Sequence, residues 1–93
     1  MILIADGGST KVDWIALDKN KNEVFRIETL GLNPSVVEKK ELLKTIQSSS
    51  ELTQIKNNVN EIHFYGAGCG TLKPVNILKS VLQSVFANAD INI

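Results

Sequence analysis

The most constraining feature of the sequence is the unbroken apolar run at residues 2–5, which Asp6 closes. An apolar residue at every position, and not only at every second one, predicts a strand that is buried on both faces. Such a strand belongs at the centre of a sheet whose two faces are both covered by other layers. The rest of the chain must therefore supply neighbouring strands and covering helices.

Three strands are predicted in the first third of the chain. The segments "MILIAD" at 1–6, "KVDWIALD" at 11–18 and "EVFRIETL" at 23–30 are rich in apolar and β-branched residues. Polar turns of about four residues separate them, and connections this short join antiparallel neighbours. The sequence therefore predicts an antiparallel meander.

The remaining segments alternate between helix and strand. A helix is predicted from about Ser35, because Ser35 and Glu38 have the spacing of a capping box. A strand at 61–66, a helix at 73–88 and the first residues of a strand at 90–93 follow. The predicted element order is β-β-β-α-β-α-β, which is an α/β fold.

Handedness then limits the topology. With a mixed sheet of strand order 3-2-1-4-5, both crossovers run in the same direction, and right-handed connections place both helices on one face. The first two strands are apolar on both sides, so one apolar face would stay uncovered. We therefore expect the fold to be incomplete at the C-terminus, with a helix beyond Ile93 covering that face. Alone, the chain would self-associate through it.

Composition limits the class of partner. Ninety-three residues suffice for one small domain, and ten basic residues balance ten acidic ones. A nucleic-acid polymer or a membrane is not expected as a partner, because there is no basic excess and no apolar run of about 20 residues. The single cysteine, Cys69, allows no internal disulfide and favours a cytoplasmic location. With His63 as the only histidine, a zinc site is not expected.

The segment "DGGST" between the first two strands is the strongest candidate site. Glycines permit positive φ and close approach of a ligand, and successive free N–H groups form an anion-binding concavity. Asp6 could hold Mg²⁺, usually through water. A plain hairpin turn explains the same residues equally well. The candidate phosphate-binding residues are Asp6, Gly7, Gly8, Ser9, Thr10 and Lys11.

Two further loops carry weaker signals. "GAGCGT" at 66–71 is either a tight strand-to-helix bend or a backbone that lines the same cleft. Asn33 in "GLNPS" is either a turn residue or an amide that recognises a sugar hydroxyl. The residues alone favour the turn in both cases.

The stretch "IADGGSTKVDW", followed by this element order, resembles the N-terminal lobe of the sugar kinase, actin and heat-shock-chaperone ATPase superfamily, which has a ribonuclease H-like fold. The likeness is greatest to BadF-type ATPases and N-acetylglucosamine kinases. It implies that Asp6 is the magnesium-linked acid and that residues 7–11 contact the β- and γ-phosphates of ATP. It also implies that Asn33 contacts the amino sugar and that Gly68, in "YGAGCG", lies at the floor of the cleft.

The resemblance implies ATP and Mg²⁺ as cofactors and a small sugar as substrate. Residues 1–93 would be the partial N-terminal lobe of a two-lobe, ATP-dependent sugar kinase that acts on N-acetylglucosamine or a related sugar. The catalytic aspartate and the C-terminal lobe would lie beyond Ile93, so we expect the fragment to be inactive and the full-length protein to be a homodimer. One alternative is a BadF-type ATPase activator with an iron–sulfur cluster, for which Cys69 is the only candidate ligand. Another is a non-enzymatic regulator that senses a sugar or a nucleotide.

Overall fold

The computed structural model describes residues 1–93 and has five strands and three helices. In chain order the elements are β1 Ile2–Gly7, β2 Lys11–Leu17, β3 Glu23–Leu30, α1 Lys39–Gln47, α2 Ser50–Ile55, β4 Glu61–Gly66, α3 Leu72–Val85 and β5 Asp90–Asn92. The predicted order is confirmed, and the first helical region is divided in two at the serines 48–50. α2 begins directly after Ser49, because the Ser49 side chain accepts a hydrogen bond from the Leu52 N–H and so caps the start of this helix.

The sheet has the predicted strand order β3-β2-β1-β4-β5. β1 pairs antiparallel with β2 and parallel with β4, so the apolar first strand is central. Leu3 and Ala5 are fully buried on one face, while Ile2 and Ile4 are only half-buried on the other. α1 and α3 contact each other, which places both on the Leu3 side, as right-handed crossovers require.

The core lies between the helices and the middle of the sheet. Trp14 of β2 and Phe64 of β4 are buried there, and their rings pack edge to face with centroids 6.0 Å apart. The indole N–H of Trp14 donates to the Thr29 hydroxyl at 2.9 Å, so the one polar atom of the ring has a partner. Such a ring pair stabilises by roughly 0.5–1.5 kcal/mol beyond its buried area. The ring pair and the hydrogen bond to Thr29 together link β2, β3 and β4 beneath the site described below.

The opposite face of the sheet carries no helix. Its central side chains are half-buried and apolar, namely Ile2, Ile4, Ile15 and Leu17. Toward the carboxyl end of β1 the same face becomes acidic, because Asp6 pairs with Asp13 and Asp13 with Glu28. The expected uncovered face is therefore present, with an apolar centre and one charged end.

The predicted start of the first helix is wrong. α1 begins at Lys39, with Glu38 at the N-cap and without a side-chain cap bond. The N–H of Ser35 donates to Asn33 Oδ1 at 2.9 Å, and the Ser35 hydroxyl donates to the Gly68 carbonyl at 2.9 Å. Ser35 is thus part of an Asx-turn at Asn33 and does not cap the helix as the predicted capping box requires.

No helix of the structure has the length and apolarity needed to cross a membrane.

Candidate functional site

Three loops meet at one edge of the sheet because β1, β3 and β4 run in the same direction. We call residues 8–10 the hairpin loop, residues 31–38 the support loop and residues 67–71 the glycine loop. The Gly31 N–H donates to the Thr10 carbonyl at 2.9 Å, and the Ala67 N–H donates to the Gly7 carbonyl at 3.0 Å. The edge beyond the carboxyl ends of parallel strands is where open α/β sheets bind ligands.

The hairpin loop leaves backbone donors free. The Gly8 N–H donates to the Lys11 carbonyl at 2.8 Å, so Ser9 and Thr10 form the tip. The backbone N–H groups of these two residues donate to no atom of the chain. Neither Gly7 nor Gly8 has a left-handed φ, so the loop does not use the positive φ that these glycines permit. The expected free N–H groups exist, but they belong to Ser9 and Thr10.

The support loop fixes the hairpin loop by close backbone contact. A Cβ at Gly31 would overlap the carbonyl oxygen of Ser9 and lie 3.0 Å from the Thr10 nitrogen. Only glycine fits between β3 and the Ser9–Thr10 peptide. Sequence reasoning missed Gly31, since this close approach depends on how two strands pair and not on local sequence.

Asn33 joins the hairpin loop to the support loop. Only 8% of its surface is exposed. Its Nδ2 donates to Ser9 Oγ at 3.1 Å, and its Oδ1 accepts the Ser35 N–H. The side chain on which we predicted a sugar contact is thus already bonded at both ends, although each end retains one unused hydrogen-bonding position.

The glycine loop closes on Asn33 from the other side. Gly68 has a φ of 78°, and a Cβ there would overlap Asn33 Oδ1. Its carbonyl accepts the Ser35 hydroxyl. The two predicted substrate residues, Asn33 and Gly68, are therefore in direct contact, and the three loops form one bonded unit. The Asn-Pro-Ser sequence, which favours an Asx-turn, could have indicated the position of Ser35.

The charged candidate residues lie on the face of the sheet that carries no helix. Asp6 is exposed at the end of β1. Lys11 is exposed as well, and its Nζ lies 3.4 Å from Glu28 Oε2, which makes a surface ion pair worth about 0–1 kcal/mol. No group of three or more His, Cys, Asp or Glu side chains could hold a metal ion. Asp6 could therefore hold Mg²⁺ only with further oxygens from water and a ligand, which is the usual arrangement for Mg²⁺ beside phosphates.

Other features of this edge are less suited to chemistry. Burial raises the pKa of the Cys69 thiol, which lowers its thiolate fraction and disfavours a nucleophilic role. The largest concave surface, about 470 Å³, lies elsewhere, between the end of β3 and the α1–α2 region. The loop cluster is thus an open surface and not an enclosed pocket.

Comparisons with known proteins agree with this architecture. No protein-family model and no curated protein matches the chain. Among solved structures, the chain superposes on the crystal structure of the "putative N-acetylglucosamine kinase" of Porphyromonas gingivalis with a TM-score of 0.85 and 33% identity. The match covers 99% of this chain and 32% of that one. The chain is therefore similar in fold to one part of that protein.

The resemblance to N-acetylglucosamine kinases and the expected half-domain fold are thereby confirmed, and the fold is sugar-kinase-like. The chain spans about a third of the length of this relative. The assignment of Asp6 and residues 7–11 to ATP and Mg²⁺ stays a prediction. The assignment of Asn33 and Gly68 to a sugar stays a prediction as well.

Proposed function

We propose that residues 1–93 form the partial, phosphate-binding N-terminal lobe of an ATP-dependent sugar kinase. N-acetylglucosamine or a related sugar is the proposed acceptor. The observation that carries the proposal is the hairpin tip, where the Ser9 and Thr10 N–H groups are free at the carboxyl edge of the sheet. The 33% identity to a kinase-like structure supports the same function. In this proposal the catalytic base and the second lobe lie outside residues 1–93.

The hairpin loop offers donors that suit phosphate oxygens. Two backbone N–H groups and the Ser9 and Thr10 hydroxyls belong to one exposed tip, which Gly31 holds in place. Donors fixed in advance stabilise charge that develops on a phosphoryl group without a cost of reorganisation. Lys11 would exchange its weak contact with Glu28 for a phosphate oxygen. Asp6 would hold Mg²⁺ through water, and the ion, when bound, neutralises phosphate charge.

The BadF-type alternative has less support in the structure. An iron–sulfur cluster needs thiolate ligands, and Cys69 is the only cysteine within residues 1–93. Burial raises its pKa, which opposes the thiolate form. A sensing regulator would bind the same ligands as the kinase but would not turn them over. An assay of ADP release therefore distinguishes the two.

The phosphate-binding role can be tested on this chain by NMR titration with Mg·ATP, which detects millimolar affinities. We expect chemical-shift changes centred on the Ser9 and Thr10 amides. Asp6→Asn should abolish the part of the affinity that requires Mg²⁺. Asp18→Asn is the matched control, since Asp18 follows β2 at the other end of the sheet. Equal Mg²⁺-dependent binding by Asp6→Asn and the original chain would contradict the role of Asp6.

The activity of the whole protein requires a separate assay. In a full-length protein that contains this chain, ADP release should depend on the amino sugar. ATP hydrolysis without a sugar would favour the ATPase activator, and binding without turnover would favour the regulator. The chain alone should release no ADP, and turnover by residues 1–93 would refute the proposed dependence on a second lobe.

A further inference from the structure

The hydrogen bond between Asn33 and Ser9 has only one possible direction. The Ser35 backbone N–H can only donate, so the side-chain atom of Asn33 that lies 2.9 Å from it must be the oxygen Oδ1. The other terminal atom is then Nδ2, which can only donate. Ser9 Oγ, at 3.1 Å, must therefore accept.

The hydroxyl hydrogen of Ser9 is consequently free. Ser9 is exposed, and its hydroxyl donates to no atom of the chain. A hydroxyl that accepts one hydrogen bond becomes a stronger donor in the next. We infer that Asn33 is a positioning residue that orients the Ser9 hydroxyl as a donor toward a phosphate oxygen of the nucleotide. This inference rests on the proposed function and gives Asn33 a role toward the nucleotide in addition to the predicted sugar contact.

The surroundings of Asn33 keep the amide in this orientation. A flipped amide would place the Nδ2 donor against the Ser35 N–H donor, and it would turn the oxygen toward Ser9. Gly68 packs directly against the amide, where a Cβ would overlap Oδ1, so the side chain has little room to rotate. The support loop and the glycine loop together thus fix the direction of one hydrogen bond in the hairpin loop.

Asn33→Asp tests the inference with almost no change in shape. The aspartate keeps an oxygen for the Ser35 N–H but replaces the Nδ2 donor with an acceptor, which would take the Ser9 hydroxyl hydrogen. We expect the Kd for Mg·ATP, measured by NMR titration, to rise about tenfold or more, as for other lost bonds to a charged group. Ser9→Ala should weaken binding similarly, and Ser9→Thr, which keeps a hydroxyl, should restore most of it.

Two controls separate hydrogen-bond direction from charge and folding. Val36→Asp adds a carboxylate to the same support loop at an exposed side chain, so its effect measures charge alone. In the Ser9→Ala background, Asn33→Asp should weaken Mg·ATP binding no more than Val36→Asp does. Ser9 is exposed at a hairpin tip, so Ser9→Ala gives a folded variant even where Asn33→Asp is unstable.

A titration with N-acetylglucosamine separates this role from a direct sugar contact. In the absence of any sugar, Asn33→Asp should still raise the Kd for Mg·ATP about tenfold or more, because the lost bond direction concerns Ser9 and not the sugar. Loss of sugar affinity with an unchanged Kd for Mg·ATP overturns the inference. Failure of the original chain to bind Mg·ATP overturns the proposed function itself. Unchanged Mg·ATP affinity in both Ser9→Ala and Asn33→Asp overturns only the inference.

Discussion

The two hairpin turns of the meander lie at opposite ends of the sheet and are held in different ways. In the β2–β3 turn, Asp18 Oδ1 accepts the N–H groups of Asn20 and Asn22, each at 2.9 Å. The Asp18 N–H also donates to the Asn22 carbonyl, and the Lys21 N–H donates to the Asp18 carbonyl, both at 2.9 Å. Within this turn, therefore, only the Lys19 N–H donates to no atom of the chain.

The β1–β2 turn does the opposite. Its aspartate, Asp6, lies within β1 and not in the turn itself. The Ser9 and Thr10 N–H groups therefore have no carboxylate acceptor in the turn and stay unbonded. Gly31 and Asn33 hold the tip from outside. A turn that closes on itself has few donors left for a ligand, whereas a turn supported by neighbouring loops keeps its donors free. The difference in support therefore favours a binding role for the first turn and a structural role for the second.

The largest expected effect on the free energy of unfolding comes from disrupting the close contact by which Gly31 supports the first turn. Gly31→Ala would push a Cβ into the Ser9 carbonyl, and neither backbone can move away without disturbing the β2–β3 pairing. We expect a loss of about 2–3 kcal/mol in the free energy of unfolding, measured by urea denaturation. The matched control is Gly70→Ala, whose Cβ would meet no atom within 4 Å. Equal stability of the two variants would contradict the proposed support.

A smaller effect is expected at the self-contained turn. Asp18→Ala removes the acceptor for two backbone N–H groups, which should cost about 1–2 kcal/mol of unfolding free energy. Asp18→Asn keeps an Oδ1 acceptor and should retain most of the stability. Neither variant should shift the Ser9 or Thr10 amide signals. A shift there would show that the two turns are coupled across the sheet.

The sequence was sufficient for the sheet because its signals are local or follow from chirality. The apolar run at residues 2–5 identified the central strand, and right-handed crossovers placed α1 and α3 on one face. The helix start failed because two local motifs competed for Ser35. The Asx-turn at Asn33 took that residue before a capping box with Glu38 could form.

The sequence indicated where the candidate site lies in the fold, but it did not reveal the contacts made there. The residues "DGGSTK" identified the hairpin loop, while the free donors proved to be those of Ser9 and Thr10. The contact of Asn33 with Gly68 joins positions 35 residues apart, and no local pattern reveals such a contact. The close approach of Gly31 to Ser9 likewise arises only after β2 and β3 have paired. These long-range contacts are the ones that give the first turn its external support.

The smallest expected effect concerns strain inside the self-contained turn. Lys21 has a φ of 65°, a left-handed conformation that costs a non-glycine residue about 1–2 kcal/mol. Lys21→Gly removes this cost but adds about 0.5–1 kcal/mol of backbone entropy to the unfolded chain. The net expectation is a gain of about 0.5 kcal/mol in the free energy of unfolding. Lys19→Gly, at a position without left-handed φ, carries only the entropic cost and should destabilise. If both lysine variants lose stability equally, the β2–β3 turn stores no relievable strain, and its bonds to Asp18 alone account for its shape.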